Sequence, residues 1–383
     1  MKKDEKIKIL IVTGSRAEYG LFRSAIFKLR QSKHLEVKLL VTGMHTLKKF
    51  GFSLSLIKKD MPVDCVVSIK ENDDMVSALN REIDGIYRYV NKNNFKAVLV
   101  LCDRDEPFAA ATVGIHLNIP IIHVSGGDVS GLSVDHLLRN AISIFSKLHL
   151  VQTHKSRENV IKLGADPGNV HVVGSAGLDG LRTEGLLSRK KLAEELGLNL
   201  NSRWFLISMH PTPFEALSFA DQINPVIAAL KKLESVDEKI IIYPNSDTGY
   251  EVFIKTIASL PLKNFSFHLF KNLERENYLS LLRHSAALIG NSSSGLVEAG
   301  FLKTPFINVG NRQRGREKGV NVISTAYDSQ QILDGIAVAL SEVFKKKLKK
   351  TPSVYRGGNV SGRIVNKIEE FLNNYYAQNH ISR

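Results

Sequence analysis

Short apolar runs alternate along the chain with longer stretches in which apolar residues recur at helical spacing. Runs at residues 7–13, 37–42, 97–101, 119–124, 148–152 and 170–173 predict strands in the first half. Runs at 204–208, 239–243, 265–269, 286–289, 306–309 and 320–323 repeat the rhythm in the second. Their continuous apolar character, without strict alternation, suits a parallel sheet covered by helices on both faces. The pattern predicts an α/β architecture of two Rossmann-like, doubly wound domains, residues 1–178 and 179–362, facing across a cleft. Residues 177–203 carry no strand pattern and predict the crossover, with one helix. RGGNVSG at 356–362 interrupts the rhythm before a last helix, 364–376, within a 363–383 segment able to pack back on the N-terminal domain. Almost every strand of the first half ends in small or polar residues, where open α/β sheets bind ligands.

Composition narrows the classes of function. With 383 residues, 43% hydrophobic and 23% charged, the chain has material for two cores and is not disordered. A net charge of +14 suits nucleic acid, an anionic membrane face or an anionic small substrate. The last is favoured: the most conspicuous basic run, KKKLKK at 345–350, reads as a solvated helix end, and no nucleic-acid motif accompanies it. Two cysteines, Cys65 and Cys102, are too few for a disulfide framework, which points to a reducing, cytoplasmic setting. The N-terminal MKKDEKIKILIVTG has too short an apolar run for a signal peptide or membrane span and reads as the first strand.

The candidate chemistry centres on AALIGNSSSGLVEAG, 286–300, read as a buried strand, a tight polar turn and a helix start. Asn291, Ser292, Ser293 and Ser294 are helix-capping residues, and Gly295 would let a ligand come close. Free amides of a first helical turn suit phosphate oxygens, and Glu298, about one turn on, could accept hydrogen bonds from ribose hydroxyls. The plain alternative is an ordinary capped helix. TGSRAEYG at 13–20 presents Arg16 as a phosphate clamp, without the GxGxxG or Walker lysine of a nicotinamide or ATP site. Asp103 ends one strand within CDRDEP, where paired charges often brace a loop. SGGDVSG offers Gly126, Gly127 and Gly131, with Asp128 and then Asp135 as acids. His123, inside a strand, reads as a core histidine. His210, just past the 204–208 strand, is a better acid or phosphate donor. Asn245 lies in the polar loop YPNSDTG, and Arg312, Arg314 and Arg316 follow the 306–309 strand. No His or Cys cluster has ligand spacing, so no metal or cofactor is demanded.

TGSRAEYG, VTGMH, HPT, NSDTG, NSSSGLVEA and GNRQRGRE, in this order, make the chain resemble the hydrolysing UDP-N-acetylglucosamine 2-epimerases that supply N-acetylmannosamine for sialic acid synthesis. The resemblance implies a GT-B architecture. It also implies a UDP-sugar substrate, no nucleic-acid or membrane partner, and self-association as a dimer or tetramer. It places Ser293, Ser294 and Gly295 on the diphosphate, Glu298 on the ribose, and Arg16, His210 and Arg312 near phosphate or sugar. Asp103 and Asp135 match the family's catalytic acids. The sugar-side loops differ: Ser125 stands where a carboxylate is common, and His136 and Asn140 replace an acid and a histidine. Two other readings use the same nucleotide site: a GT-B glycosyltransferase and a non-catalytic UDP-sugar sensor. Within the epimerase reading the sugar is UDP-N-acetylglucosamine or a 2,4-diacetamido-6-deoxy relative of the legionaminic pathway.

Overall fold

The computed structural model describes residues 6–48, 51–129, 134–179, 181, 185–244, 248–260 and 266–378, with Ala17 and Gln378 by backbone alone. The chain divides into two compact units. One comprises residues 1–129, 133–179 and 357–383; the other comprises 130–132 and 180–356.

In the first unit, β1 (Ile7–Thr13), β2 (Leu35–Val41), β3 (Cys65–Val66), β4 (Ala97–Leu101), β5 (Ile121–Val124), β6 (Leu148–Val151) and β7 (Val170–Val172) form one sheet. Its order is β3-β2-β1-β4-β5-β6-β7, every pairing parallel. The helices between are α1 (Arg16–Arg30), α2 (Leu54–Asp60), α3 (Met75–Asn91), α4 (Asp105–His116), α5 (Val134–Phe145) and α6 (His154–Lys162). In the second unit, β8 (Trp204–Ser208), β9 (Glu238–Ile242), β10 (Phe267–Phe270), β11 (Ala287–Gly290), β12 (Phe306–Val309) and β13 (Val322–Thr325) pair in the order β10-β9-β8-β11-β12-β13, again all parallel. Its helices are α7 (Arg189–Leu196), α8 (Phe219–Lys231), α9 (Tyr250–Ala258), α10 (Arg275–His284), α11 (Glu298–Leu302), α12 (Ser329–Leu340) and α13 (Glu342–Lys350). The last helix, α14 (Val360–Gln378), belongs to the first unit.

Strands β4, β8, β11 and β12 are buried at every position, which is why their apolar runs are unbroken. Their predicted bounds match those observed to within a residue. Elsewhere the ends shift. The run at 119–124 pairs only from Ile121, because Pro120 has no amide to donate, and the run at 320–323 pairs at Val322–Thr325. The 265–269 run is observed at Phe267–Phe270, its first residue lying outside the described residues. Strand β3 is missing from the sequence reading because two half-buried edge residues leave no pattern. The 286–300 stretch also differs from its expected form. A 3-10 turn, Ser293–Gly295, separates the strand from α11, which is only five residues long.

Helix α14 seats Val360, Ile364, Ile368, Leu372 and Tyr376 in the core formed by β1, β2, β4 and α1. The 364–376 prediction covers its interior and misses its first turn, which a distant residue caps. The carboxylate of Asp179 accepts the Val360 amide at 2.7 Å and the Ser361 amide at 2.6 Å. It satisfies two amides without an intrahelical partner and places negative charge at the positive end of the helix dipole. Asp179→Ala is expected to cost about 1–2 kcal/mol. Denaturant unfolding checks this, and a loss within error would mean that water replaces the cap.

Candidate functional site

In each sheet the strand order reverses once, between β1 and β4 and between β8 and β11. At such a reversal the chains leaving adjacent strands go to opposite faces and open a crevice at the carboxyl ends. The sequence-predicted residues fall around both reversals.

At the first, Gly14 follows β1, and Asp103, Arg104 and Glu106 follow β4. Asp103 forms an ion pair with Arg139 of α5, whose Nη1 also donates to the Asp128 carbonyl at 2.7 Å. Asp135, exposed in the first turn of α5, lies near enough to Arg104 to favour its charged form. Arg16 is exposed at the first position of α1. Arg104 is a residue whose charge the sequence pattern presents only as a loop brace. Its Nε donates to buried Glu106 at 3.3 Å and its Nη2 to the Met44 sulfur at 3.3 Å. Its Nη1 has no partner among the described residues, and 41% of the side chain is exposed. Glu106 above all, then Glu18 and Asp135, hold its pKa above the ordinary value. An arginine held at one edge and open at the other is ready to donate hydrogen bonds to an anion. The only hint in the sequence is the string of alternating charges in CDRDEP.

Behind Arg104 lie more carboxyls than cations. Glu18 is 4% exposed, and neither carboxyl oxygen has a hydrogen-bond partner of ordinary geometry among the described residues. Burial, then the Glu106 charge, push its pKa well up. Glu82 accepts from the Thr42 hydroxyl at 3.5 Å, and burial, then Glu106 and Asp105, push it up to about 9. His45 bridges the Ser53 hydroxyl at 2.7 Å and the Thr13 hydroxyl at 3.3 Å, and burial pushes it down to about 4. His123 is a core histidine: Nε2 donates to the Cys102 carbonyl at 2.7 Å, Nδ1 meets the Ser143 hydroxyl at 3.1 Å, and burial pushes it down to about 3.

Two glycines of the next loop have a packing role. A Cβ on Gly126 would sit 2.7 Å from His123 Nδ1, and one on Gly127 would sit 2.2 Å from the Ser156 carbonyl oxygen. Their bare faces are used by packing; Gly131 lies outside the described residues. Cys102 and Ser125 hold φ of +62° and +66°, a left-handed conformation that glycine adopts more cheaply. His136, half-buried on α5, meets Asn140 Nδ2 at 3.3 Å and feels both Asp103 and Arg139.

At the second reversal a single buried side chain organises the loops. Asn291 Oδ1 accepts the His210 amide at 2.8 Å, and its Nδ2 donates to the His210 carbonyl at 2.8 Å. Its own carbonyl accepts Arg312 Nη1 at 3.3 Å and Gln313 Nε2 at 2.8 Å. One asparagine thus brings His210 and Arg312 together at the ends of β8 and β11.

The serine turn is built more tightly than expected. The amides of Gly295, Leu296 and Val297 bond back to Ser292 and Ser293, and the Ser294 amide meets the Ser292 hydroxyl at 3.4 Å. The expected array of free helical amides is therefore mostly consumed, and the exposed Ser293 is the turn's accessible corner. A Cβ on Gly295 would lie 2.4 Å from the Phe306 ring, so this glycine serves packing against β12. Ser294 accepts the Tyr278 hydroxyl at 2.7 Å. Glu298 is buried; desolvation raises its pKa, while Arg275, Arg316 and the Ser294 hydroxyl favour its charged form. Arg314 is exposed, and Asn245 lies outside the described residues.

The pKa of Glu82 generates a pH prediction. Below pH 4.5 the carboxyl is protonated in both folded and unfolded chains, whereas from 4.5 to about 9 only the folded chain keeps the proton. Stability contributed at this site is therefore lost as pH rises through that window. Unfolding measured at stepped pH should show Glu82→Gln gaining on the wild type from about pH 5 to 9. A pH-independent difference would mean that Glu82 is ionised in the fold.

Comparison with known proteins follows the same lines. Residues 27–369 match the family model described as UDP-N-acetylglucosamine 2-epimerase. The chain is 32% identical to polysialic acid biosynthesis protein P7 of Escherichia coli, over 95% of this chain and 94% of that protein. It is 34% identical to the hydrolyzing UDP-N,N'-diacetylbacillosamine 2-epimerase of Legionella pneumophila, over 93% of this chain and 94% of that one. The crystal structure of the Neisseria meningitidis UDP-GlcNAc 2-epimerase bound to UDP-GlcNAc aligns at a TM-score of 0.82 and 19% identity, covering 95% of this chain and all of that one. That likeness shows the shared GT-B-like fold. By its family match and its full-length relatives, the chain belongs to the UDP-N-acetylglucosamine 2-epimerase family.

Proposed function

We propose that the protein is a hydrolysing 2-epimerase that converts a UDP-2-acetamido sugar, UDP-N-acetylglucosamine first, to the free 2-epimer and UDP. A base removes the C2 proton while the C1–oxygen bond to UDP breaks, leaving a glycal. Water then adds its hydroxyl at C1, and a proton returns to the opposite face of C2. Asp103 and Asp135 are the base and acid. Ser292, Ser293, Ser294 and Gly295 form the diphosphate turn, Glu298 bonds the ribose, and Arg16, His210 and Arg312 neutralise the leaving diphosphate. The second unit carries the diphosphate turn and the ribose carboxylate, and the first carries both acids.

The observation that carries this reading is the Asn291 bridge, which fixes His210 and Arg312 beside the serine turn where the strand order reverses. The Asp103–Arg139 pair beside Asp135 and Arg104 adds the acid-base half. A second reading, the same reaction on a UDP-2,4-diacetamido-2,4,6-trideoxy sugar, is favoured by 34% identity to the Legionella enzyme that is named for such a substrate.

Binding and turnover should separate. Glu298→Ala and Arg312→Ala should each weaken UDP binding in calorimetry by about 1.5–3 kcal/mol, the worth of a charge-assisted hydrogen bond. Asp103→Asn and Asp135→Asn should keep UDP affinity and lower turnover about a hundred- to ten-thousand-fold, assayed on both sugars. Near wild-type turnover in either Asn variant would reduce that carboxylate to a loop brace. Unchanged UDP affinity in both Ala variants would put the nucleotide elsewhere.

A further inference from the structure

Glu106 is enclosed in an unusual way. It is 3% exposed, and a Cβ on Gly14 would lie 2.2 Å from its carboxyl carbon. A Cβ on Gly43 would lie 2.2 Å from its Oε1. The carboxyl thus occupies space vacated by two glycines, one just past β1 and one just past β2, while its own backbone begins α4 after β4. Gly43 has φ +60°, a conformation for which glycine is the cheap residue, but Gly14 has no such backbone need, so its small size answers to Glu106. The result is one carboxylate locked between three strand ends, with Oε2 on Arg104 Nε.

We propose that Glu106 is the positioning residue for Arg104, fixing the guanidinium so that its Nη1 edge faces the reacting substrate beside Asp103 and Asp135; the substrate half of this rests on the epimerase reading above. The neighbouring carboxyls fit the role. Glu18 and Glu82 are buried beside Glu106, and neither carboxyl hydrogen-bonds the guanidinium among the described residues, which leaves its Nε to Glu106. Met44, one residue beyond Gly43, closes the other side through its sulfur on Nη2. With Nε and Nη2 both held, the planar group has little rotational freedom left, which is what a preorganised hydrogen-bond donor to an anion requires.

The test has two arms. In the first, the Nε–H resonance of Arg104, read by selective arginine labelling in the full chain, should be sharp and slow to exchange in the wild type. It should broaden or disappear in Glu106→Gln, which keeps the size of the side chain and removes its charge. In the second, a double-mutant cycle is run on kcat/KM for UDP-N-acetylglucosamine. Glu106→Gln should lower kcat/KM about tenfold alone and less than about twofold in an Arg104→Ala background, because a residue that acts through another adds nothing once the other is gone. Gly14→Ala, which pushes on the carboxyl without touching a charge, should reproduce the Glu106→Gln fall with thermal unfolding monitored alongside. An unchanged Arg104 resonance, or additive losses in the cycle, would overturn the proposal. Absence of wild-type turnover on either sugar would sink the epimerase reading instead, and the resonance arm would still decide whether Glu106 positions Arg104.

Discussion

Every buried polar group at the end of a parallel strand needs a partner, and where the strand order reverses the neighbouring chains turn away from each other and supply none. The second unit answers this constraint with one side chain, the amide of Asn291, which pairs with both the amide and the carbonyl of His210 across the β8–β11 gap. In the first unit the carboxyl of Glu106 is wedged between Gly14 and Gly43, past the ends of β1 and β2. Both residues are buried, and both hold an arginine: Arg312 through the Asn291 carbonyl, Arg104 through a direct ion pair.

The electrostatics differ between the two ends. Around Arg104 the fold gathers Glu18, Glu82, Asp105 and Glu106, and burial with mutual repulsion raises the pKa of Glu18, Glu82 and Asp105. Holding carboxyls there above their ordinary pKa costs stability as pH rises. Around Asn291 the buried Glu298 is countered by Arg275 and Arg316, and hydrogen bonds among His210, Asn291 and Gln313 hold the loops. Of the cations behind the net charge of +14, Arg16 and Arg314 lie on the surface.

Much of this was legible in the chain itself. Strands buried on both faces write unbroken apolar runs, which is why 97–101, 204–208 and 306–309 could be read to the residue. A two-residue edge strand such as Cys65–Val66 writes almost nothing. The serine turn was visible in Asn291 and the serines, but its mechanics were not. No local pattern says that Gly295 answers to Phe306, or that the turn consumes its own amides. Arg104 and Glu106 looked like bracing charges because their meaning depends on Gly14 and Gly43, more than sixty residues away in sequence. His123, by contrast, could be assigned to the core correctly, since a histidine inside an apolar strand has few alternatives to a buried hydrogen-bonded role.

In the proposed reaction, carboxylates at the first reversal move a proton at C2 while UDP departs. Running it in heavy water with UDP-N-acetylglucosamine and, in parallel, with the 2,4-diacetamido-6-deoxy sugar nucleotide, the products followed by NMR, tests this directly. The expected outcome is one equivalent of UDP for each released sugar, that sugar being the 2-epimer with deuterium at C2. A released sugar of unchanged configuration with its C2 proton intact would contradict it and indicate simple hydrolysis. UDP release only on adding an acceptor would indicate a transferase, and UDP-sugar binding without any product would indicate a sensor.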